Sequence, residues 1–137
     1  MKTTAQVKAR IPTRILLFLT AVALAGAISR GAEKPPPAGT AAWYGEEHRG
    51  KVMANGQKFD PDQLTAASWF YPLGAKVRVT LVSTGRHPPS VVVAITDRGP
   101  AKNLVHDGRI IDLARAAFQA IADTDTGLVD VTVERLE

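Results

Sequence analysis

A carboxyl group at the end of an apolar strand is a place where proton transfer can be tuned, and Ser90-Val-Val-Val-Ala-Ile-Thr-Asp97 ends in one. Val91 to Ile95 is too β-branched for a good helix and too short for a membrane span, so it is predicted as a strand buried on both faces. Arg98-Gly99-Pro100 turns the chain immediately after it. Desolvation at such a strand mouth can raise the Asp97 carboxyl toward the working range of a general acid. Pairing with Arg98, or capping of the turn, is the structural alternative. Asp60 is the second candidate acid, although Asp60-Pro61-Asp62 also has the pattern of an Asx turn before a strand. His48, His87 and His106 fall in three separate loops with no i, i+4 pair, and the chain has no cysteine. No metal site and no cofactor is expected from that set. No serine sits in a nucleophile elbow, and no glycine loop has the pattern of a phosphate cradle.

The elements that must hold these residues are short. Gly39 to Tyr44 and Leu64 to Ser68 are predicted as strands, and Ala75 to Val82 alternates with Val77, Val79 and Leu81 facing in. Gly85 to Pro89 turns the chain into the Val91 strand. Arg109 to Ile111 is a further short strand, Asp112 is placed to cap a helix over Leu113 to Ala122, and Leu128 to Glu134 alternates again. Six short strands and one small helix predict an all-β domain closed into a barrel, since closure removes the unpaired edges of an open sheet.

The first 27 residues have the three parts of a secretory signal peptide. Lys2, Lys8, Arg10 and Arg14 come without an acid, Ile15 to Leu24 is apolar, and Ala25-Gly26-Ala27 fits the small-x-small cleavage rule. An uncleaved amphipathic anchor is the alternative. Residues 28–38 contain Lys34-Pro-Pro-Pro37 and are predicted as a Pro-rich linker, leaving 39–137 as one small domain. Of 17 basic and 13 acidic residues, four basic ones and no acid lie in the leader, so the remainder carries 13 of each. The basic balance of the whole chain is therefore a property of the leader and is no sign of nucleic-acid binding. With no cysteine there is neither a disulfide framework nor a lipidation site, so an exported protein without a lipid anchor is expected, acting as a monomer.

Ala42-Trp43-Tyr44-Gly45, Ala54-Asn55-Gly56 with Phe59-Asp60, Leu64-Thr65-Ala66-Ala67, Pro72-Leu73-Gly74, Val77-Arg78-Val79, Thr96-Asp97-Arg98-Gly99-Pro100 and Gly108-Arg109-Ile110-Ile111-Asp112-Leu113 with Arg115-Ala116-Ala117 stand in this order. In that order and spacing they resemble the RlpA (rare lipoprotein A) family, across essentially all of 39–137. The resemblance implies a six-stranded double-psi β-barrel of the kind shared with expansins. It also implies a periplasmic or cell-wall-associated lytic transglycosylase acting on peptidoglycan glycan strands, and the SPOR domain that often follows in the family is not expected here. For such a reaction one carboxyl that first donates and then accepts a proton can suffice, because the sugar's own 6-hydroxyl closes on C1. Asp97 matches the family's Asp-Arg-Gly-Pro and takes that role, with Asp60 in support. Arg98 either orients Asp97, holds a substrate oxygen or braces the loop.

Two positions depart from the family pattern. Gln57 stands where an acid is usual; its amide can hydrogen-bond a sugar but cannot exchange a proton at neutral pH. Ser68 replaces the histidine of Thr-Ala-Ala-His, and Trp69-Phe70-Tyr71 follows it. Aromatic faces stack on the apolar faces of sugar rings, so Trp69 or Tyr71 offers a glycan platform unless these rings fill the barrel's end. Tyr44 either lines the groove or plugs the core. Gln57, Ser68, Trp69, Tyr44 and Arg98 are thus the candidate substrate-binding residues. Loss of two polar groups also leaves open an expansin-like barrel that grips wall glycan without cutting it, with an inhibitor or partner module on the same scaffold as a third reading.

Overall fold

A computed structural model describes residues 37–136. The signal-peptide reading and the linker reading up to residue 36 lie outside the described residues. Six strands form a closed barrel: β1 (Ala38–Tyr44), β2 (Thr65–Ala67), β3 (Lys76–Leu81), β4 (Ser90–Asp97), β5 (Arg109–Ala114) and β6 (Val129–Leu136). Around the barrel the order is β1-β5-β2-β4-β3-β6. The β1–β5 and β2–β4 pairs are parallel, and the other four are antiparallel. β1 begins at Ala38, the last residue of the segment read from composition as a linker.

Alternation decides what fills the barrel. Val77, Val79, Val91, Val93, Ile95, Ile111, Leu113, Val131 and Val133 point inward with Phe118, all nearly or fully buried. The Val91–Ile95 run is not buried on both faces, since Val92 is 38% exposed between its buried neighbours. A barrel wall has one covered side, so continuous β-branching here reflects strand propensity and not two-sided burial. Gly39 lets β1 approach β5: a Cβ there would stand 2.6 Å from the Gly108 carbonyl oxygen.

Two helices, not one, are present among the described residues, α1 (Lys102–His106) and α2 (Arg115–Gln119). Asp112 is not a helix cap. It lies within β5, Ala114 precedes α2, and no side chain caps that helix. Ile111 and Leu113 are both fully buried, and Asp112 pairs with Ala42 on one side and Ala67 on the other. Two ladders of backbone hydrogen bonds hold the segment extended, which outweighs a single capping bond.

Candidate active site

The interior takes Ala41, Ala66, Ile111 and Leu113, so strand alternation sends Ala42, Tyr44, Ala67, Asp112 and Ala114 to the outer face. On β4 plain alternation would carry Asp97 inward with Ile95. Between Ala66 and Ala67 the register slips, pairing Ala66 with Ile95 and Ala67 with Asp97. Such an irregularity re-aims a side chain. Thr96 Oγ1 donates to Met53 Sδ at 3.2 Å, and Asp97 emerges beside the Ala67 methyl. Ala67 therefore has Asp97 on one neighbouring strand and Asp112 on the other. With strands about 4.8 Å apart, the two Cα atoms stand about 10 Å apart across one small side chain.

Each carboxyl is held differently. Asp97 Oδ1 accepts the backbone N–H of Ala54 at 2.9 Å and of Arg98 at 2.8 Å. The Ala54 amide reaches it because the loop after Met53 docks on the end of β4, with Asn55 N donating to Thr96 O at 3.1 Å. Among the described residues Asp97 enters no ion pair. Asp112 Oδ1 accepts from Arg109 Nε at 2.8 Å, both side chains being largely covered. Burial pushes the Asp112 carboxyl above the usual range, and Arg109 only partly pulls it back. Gly99 lies over the gap: a Cβ there would be 3.2 Å from the Ala67 methyl and 3.7 Å from Asp112 Oδ2.

The remaining candidates divide. Tyr44 joins the pair from β1, its ring stacked on Phe59 at 4.2 Å between centroids and edge-on to His48 at 5.6 Å. Its hydroxyl is covered and has no hydrogen-bond partner among the described residues. Burial, then the charges of Asp97 and Asp112, push that phenol far above its usual range, so it stays protonated. Gln57 is exposed at the tip of the turn beside Asp97, its side-chain oxygen accepting from Asn55 Nδ2 at 3.2 Å. Trp69 is 47% exposed and fixed, its indole N–H donating to Pro100 O at 2.7 Å while the Lys102 ammonium lies 5.4 Å from the ring centroid. Trp69 and Phe70 line an open recess with Lys102, Val105 and His106.

Four of the candidates are held by the scaffold, three of them in the structural alternative that the sequence left open. Ser68 is fully buried; its hydroxyl donates to Ile110 O and accepts from Phe70 N, so it braces β2 and presents nothing to a ligand. Arg98 turns away from Asp97 and donates to the carbonyls of Ser68 at 2.7 Å and Tyr71 at 2.6 Å, the bracing alternative. Tyr71 is a core residue whose hydroxyl donates to Val133 O at 3.1 Å. Asp60 Oδ1 accepts from Arg49 Nη1 at 3.0 Å and from the Asp62 amide at 2.9 Å, the Asx turn its sequence also allowed. Asp112, not Asp60, is the carboxyl that the fold brings beside Asp97. Its signal was present: Ile110-Ile111-Asp112 is a second β-branched run ending in an acid.

A sequence model described as lytic transglycolase matches residues 37–133. The chain belongs to the lytic transglycolase family. Within the family, the endolytic peptidoglycan transglycosylase RlpA of Pseudomonas aeruginosa is 39% identical over 99 residues, which are 72% of this chain and 27% of that protein. RlpA of Vibrio cholerae is 40% identical over 96 residues, 70% of this chain and 34% of that one. The chain thus spans about a third or less of these two relatives. The uncharacterised Synechocystis protein ssl3177 is 41% identical over 97 residues and is matched over 96% of its length. Among solved structures, the Streptomyces papain inhibitor superposes with a TM-score of 0.54 at 26% identity, covering 72% of this chain and 92% of that one. A Clavibacter michiganensis expansin in complex with cellohexaose superposes with a TM-score of 0.53 at 17% identity, covering 74% and 50%. The lytic transglycolase domain here is the double-psi β-barrel, built of strands with two short helices.

Proposed function

We propose that this chain is an exported, endolytic peptidoglycan transglycosylase that cuts glycan strands to 1,6-anhydro ends. One observation carries the reading: the register slip in β4 sets Asp97 beside Ala67 opposite Asp112, giving an outer-face carboxyl pair on an otherwise small-residue floor. Family membership and the names of the RlpA relatives support the substrate class.

The chemistry follows from how each acid is held. Asp112, kept protonated more readily by burial, donates its proton to the glycosidic oxygen as the bond to C1 breaks. The positive charge developing at C1 and the ring oxygen faces the Asp97 carboxylate, which the hydrogen bonds donated by the Ala54 and Arg98 backbone N–H groups fix in place. The 6-hydroxyl oxygen of the same sugar then bonds to C1, and its proton passes to the Asp112 carboxylate. Asp112 ends as it began, so one carboxyl serves as both acid and base. This moves the role first read for Asp97 to Asp112 and gives Asp97 an electrostatic one.

The test uses the domain on sacculi first stripped of stem peptides with an amidase, with mass spectrometry of the released glycan. New anhydro-ended products should appear, and Asp112→Asn should reduce their rate by about 100-fold or more. A protein that sediments with the sacculi yet makes no such ends would be a glycan-gripping barrel. The half-exposed Trp69 and Phe70 faces are the observation that favours that second reading.

A further inference from the structure

Asp112 gives up a proton and takes it back in the mechanism above, yet a carboxyl has two oxygens and only one of them faces the sugar. Regular strand geometry would keep Arg109 away from both. Residues three apart on a strand point to opposite faces, so Arg109 and Asp112 would diverge in an unbroken β5. The register against β1 slips instead: Thr40 pairs with Arg109 and Ala41 with Ile111, leaving Ile110 as an extra residue. Such an irregularity brings Arg109 round to the face that carries Asp112.

The contact it makes there is one-sided. An arginine frequently clamps a carboxylate through two parallel bonds, which occupies both oxygens. Here Arg109 Nε donates to Asp112 Oδ1 at 2.8 Å, and among the described residues Oδ2 accepts no hydrogen bond. Oδ2 lies toward the gap beside Ala67, 3.7 Å from where a Cβ on Gly99 would stand. The two side chains are only 24% and 19% exposed, so their neighbours hold the pair in place. The charged or titratable groups facing Asp112 are Arg109 on its own strand, His48 from the turn after β1, Tyr44 on β1, and Asp97 on β4 across Ala67. Burial raises the proton affinity of Asp112, and Arg109 tempers that rise without cancelling it.

We propose that Arg109 is a positioning residue for the proton transfer: by occupying Oδ1 alone it fixes the plane of the Asp112 carboxyl and makes Oδ2 the oxygen that reacts. The O–H bond that breaks is at Oδ2, its proton goes to the glycosidic oxygen, and the proton of the 6-hydroxyl returns to Oδ2. Arg109 stays charged throughout, and no bond to the sugar is assigned to it. The inference rests on reading Asp112 as the acid and base.

Arg109→Gln, Arg109→Lys and Gly99→Ala are compared with the wild type in two measurements. One is a carboxyl-carbon NMR titration of Asp112 in the resting protein; the other is the rate of anhydro-end formation per folded molecule, with the folded fraction read from melts. Arg109→Gln removes a cation that holds the midpoint down, so the midpoint should rise by about one pH unit and the basic limb of the pH–rate profile should rise with it. The maximal rate should fall about 10-fold, with sedimentation on sacculi unchanged. Arg109→Lys keeps the charge and loses the planar fork, so it should restore the midpoint and recover the rate only in part. Gly99→Ala sets a methyl against Oδ2 and leaves the bond to Oδ1 alone, and should also slow the reaction about 10-fold. An Asp112 midpoint in Arg109→Gln within about 0.3 units of the wild type, a rate within about twofold of it, or full activity in folded Gly99→Ala would overturn the proposal. A midpoint that shifts in a protein forming no anhydro ends would overturn the reaction assigned to the site and the proposal with it, so the titration tells the two failures apart.

Discussion

The carboxyl pair Asp97 and Asp112 and the surface trio Glu46, Asp60 and Asp62 are made of the same chemistry and end with opposite properties. The three side chains are largely exposed and bridged by two guanidiniums. Arg49 donates to Glu46, to Asp60 at 3.0 Å and to Asp62 at 2.8 Å, while Arg115 donates to Asp62 at 2.6 Å. Those bonds hold Asp62 and Glu46 below the usual carboxylate range. Asp112 is pushed the other way by burial, although it too has an arginine partner. What separates the two groups is how far solvent is excluded and how many donors each acid already accepts from. A carboxylate crowded by cations in water stays charged and fastens loops; one tucked into a strand wall can hold a proton.

The largest expected effect is on the pair. Asp112→Asn or Asp97→Asn should cost about 100-fold or more in the rate of anhydro-end formation. Asp112 also gives a pH signature in stability. Its folded-state proton affinity is raised, so its stabilising contribution is full below the ordinary aspartate range and is lost as pH rises through the raised value. Thermal melts should therefore show Asp112→Asn gaining on the wild type at neutral pH, with the gain shrinking on acidification.

A smaller effect is expected where a polar group serves only the scaffold. Ser68→Ala strands the Ile110 carbonyl and the Phe70 amide, and should cost about 1–2 kcal/mol in denaturant melts while leaving the rate per folded molecule unchanged. Trp69→Ala removes a pinned aromatic face beside Lys102. Glycan affinity measured by sedimentation should weaken about 5- to 10-fold, in line with about 1 kcal/mol for an aromatic contact. The least consequence belongs to the trio: Asp60→Asn should change stability by no more than about 1 kcal/mol, an amount that shrinks in high salt.

Much of the barrel was legible because period-two alternation is a local signal. Val77, Val79, Val131 and Val133 alternate in sequence and all point inward. Asp97 was legible for the same reason, as an acid closing a β-branched run. Asp112 was misread because a carboxylate before a helix-like segment has the pattern of a cap, and its alternative partners, Ala42 and Ala67, lie far away in sequence. Helix α1 has no buried residue, so no apolar period announces it. Ser68 shows the converse and Arg98 an open choice: motif position marked Ser68 as ligand-facing and left Arg98 between ligand and loop, while their hydrogen bonds are to backbone carbonyls that only the folded chain brings near. Asp60 was ambiguous between turn and acid, and its arginine partner eleven residues earlier decides it.

Side-by-side rates of anhydro-end formation for the wild type, Asp112→Asn, Asp97→Asn and Asp60→Asn, on one preparation of peptide-free sacculi, put the contrast to its most direct test. The two variants of the pair should fall by about 100-fold or more, and Asp60→Asn should remain within about twofold of the wild type. Full activity in Asp112→Asn, or a loss in Asp60→Asn as deep as that of the pair, would contradict the account.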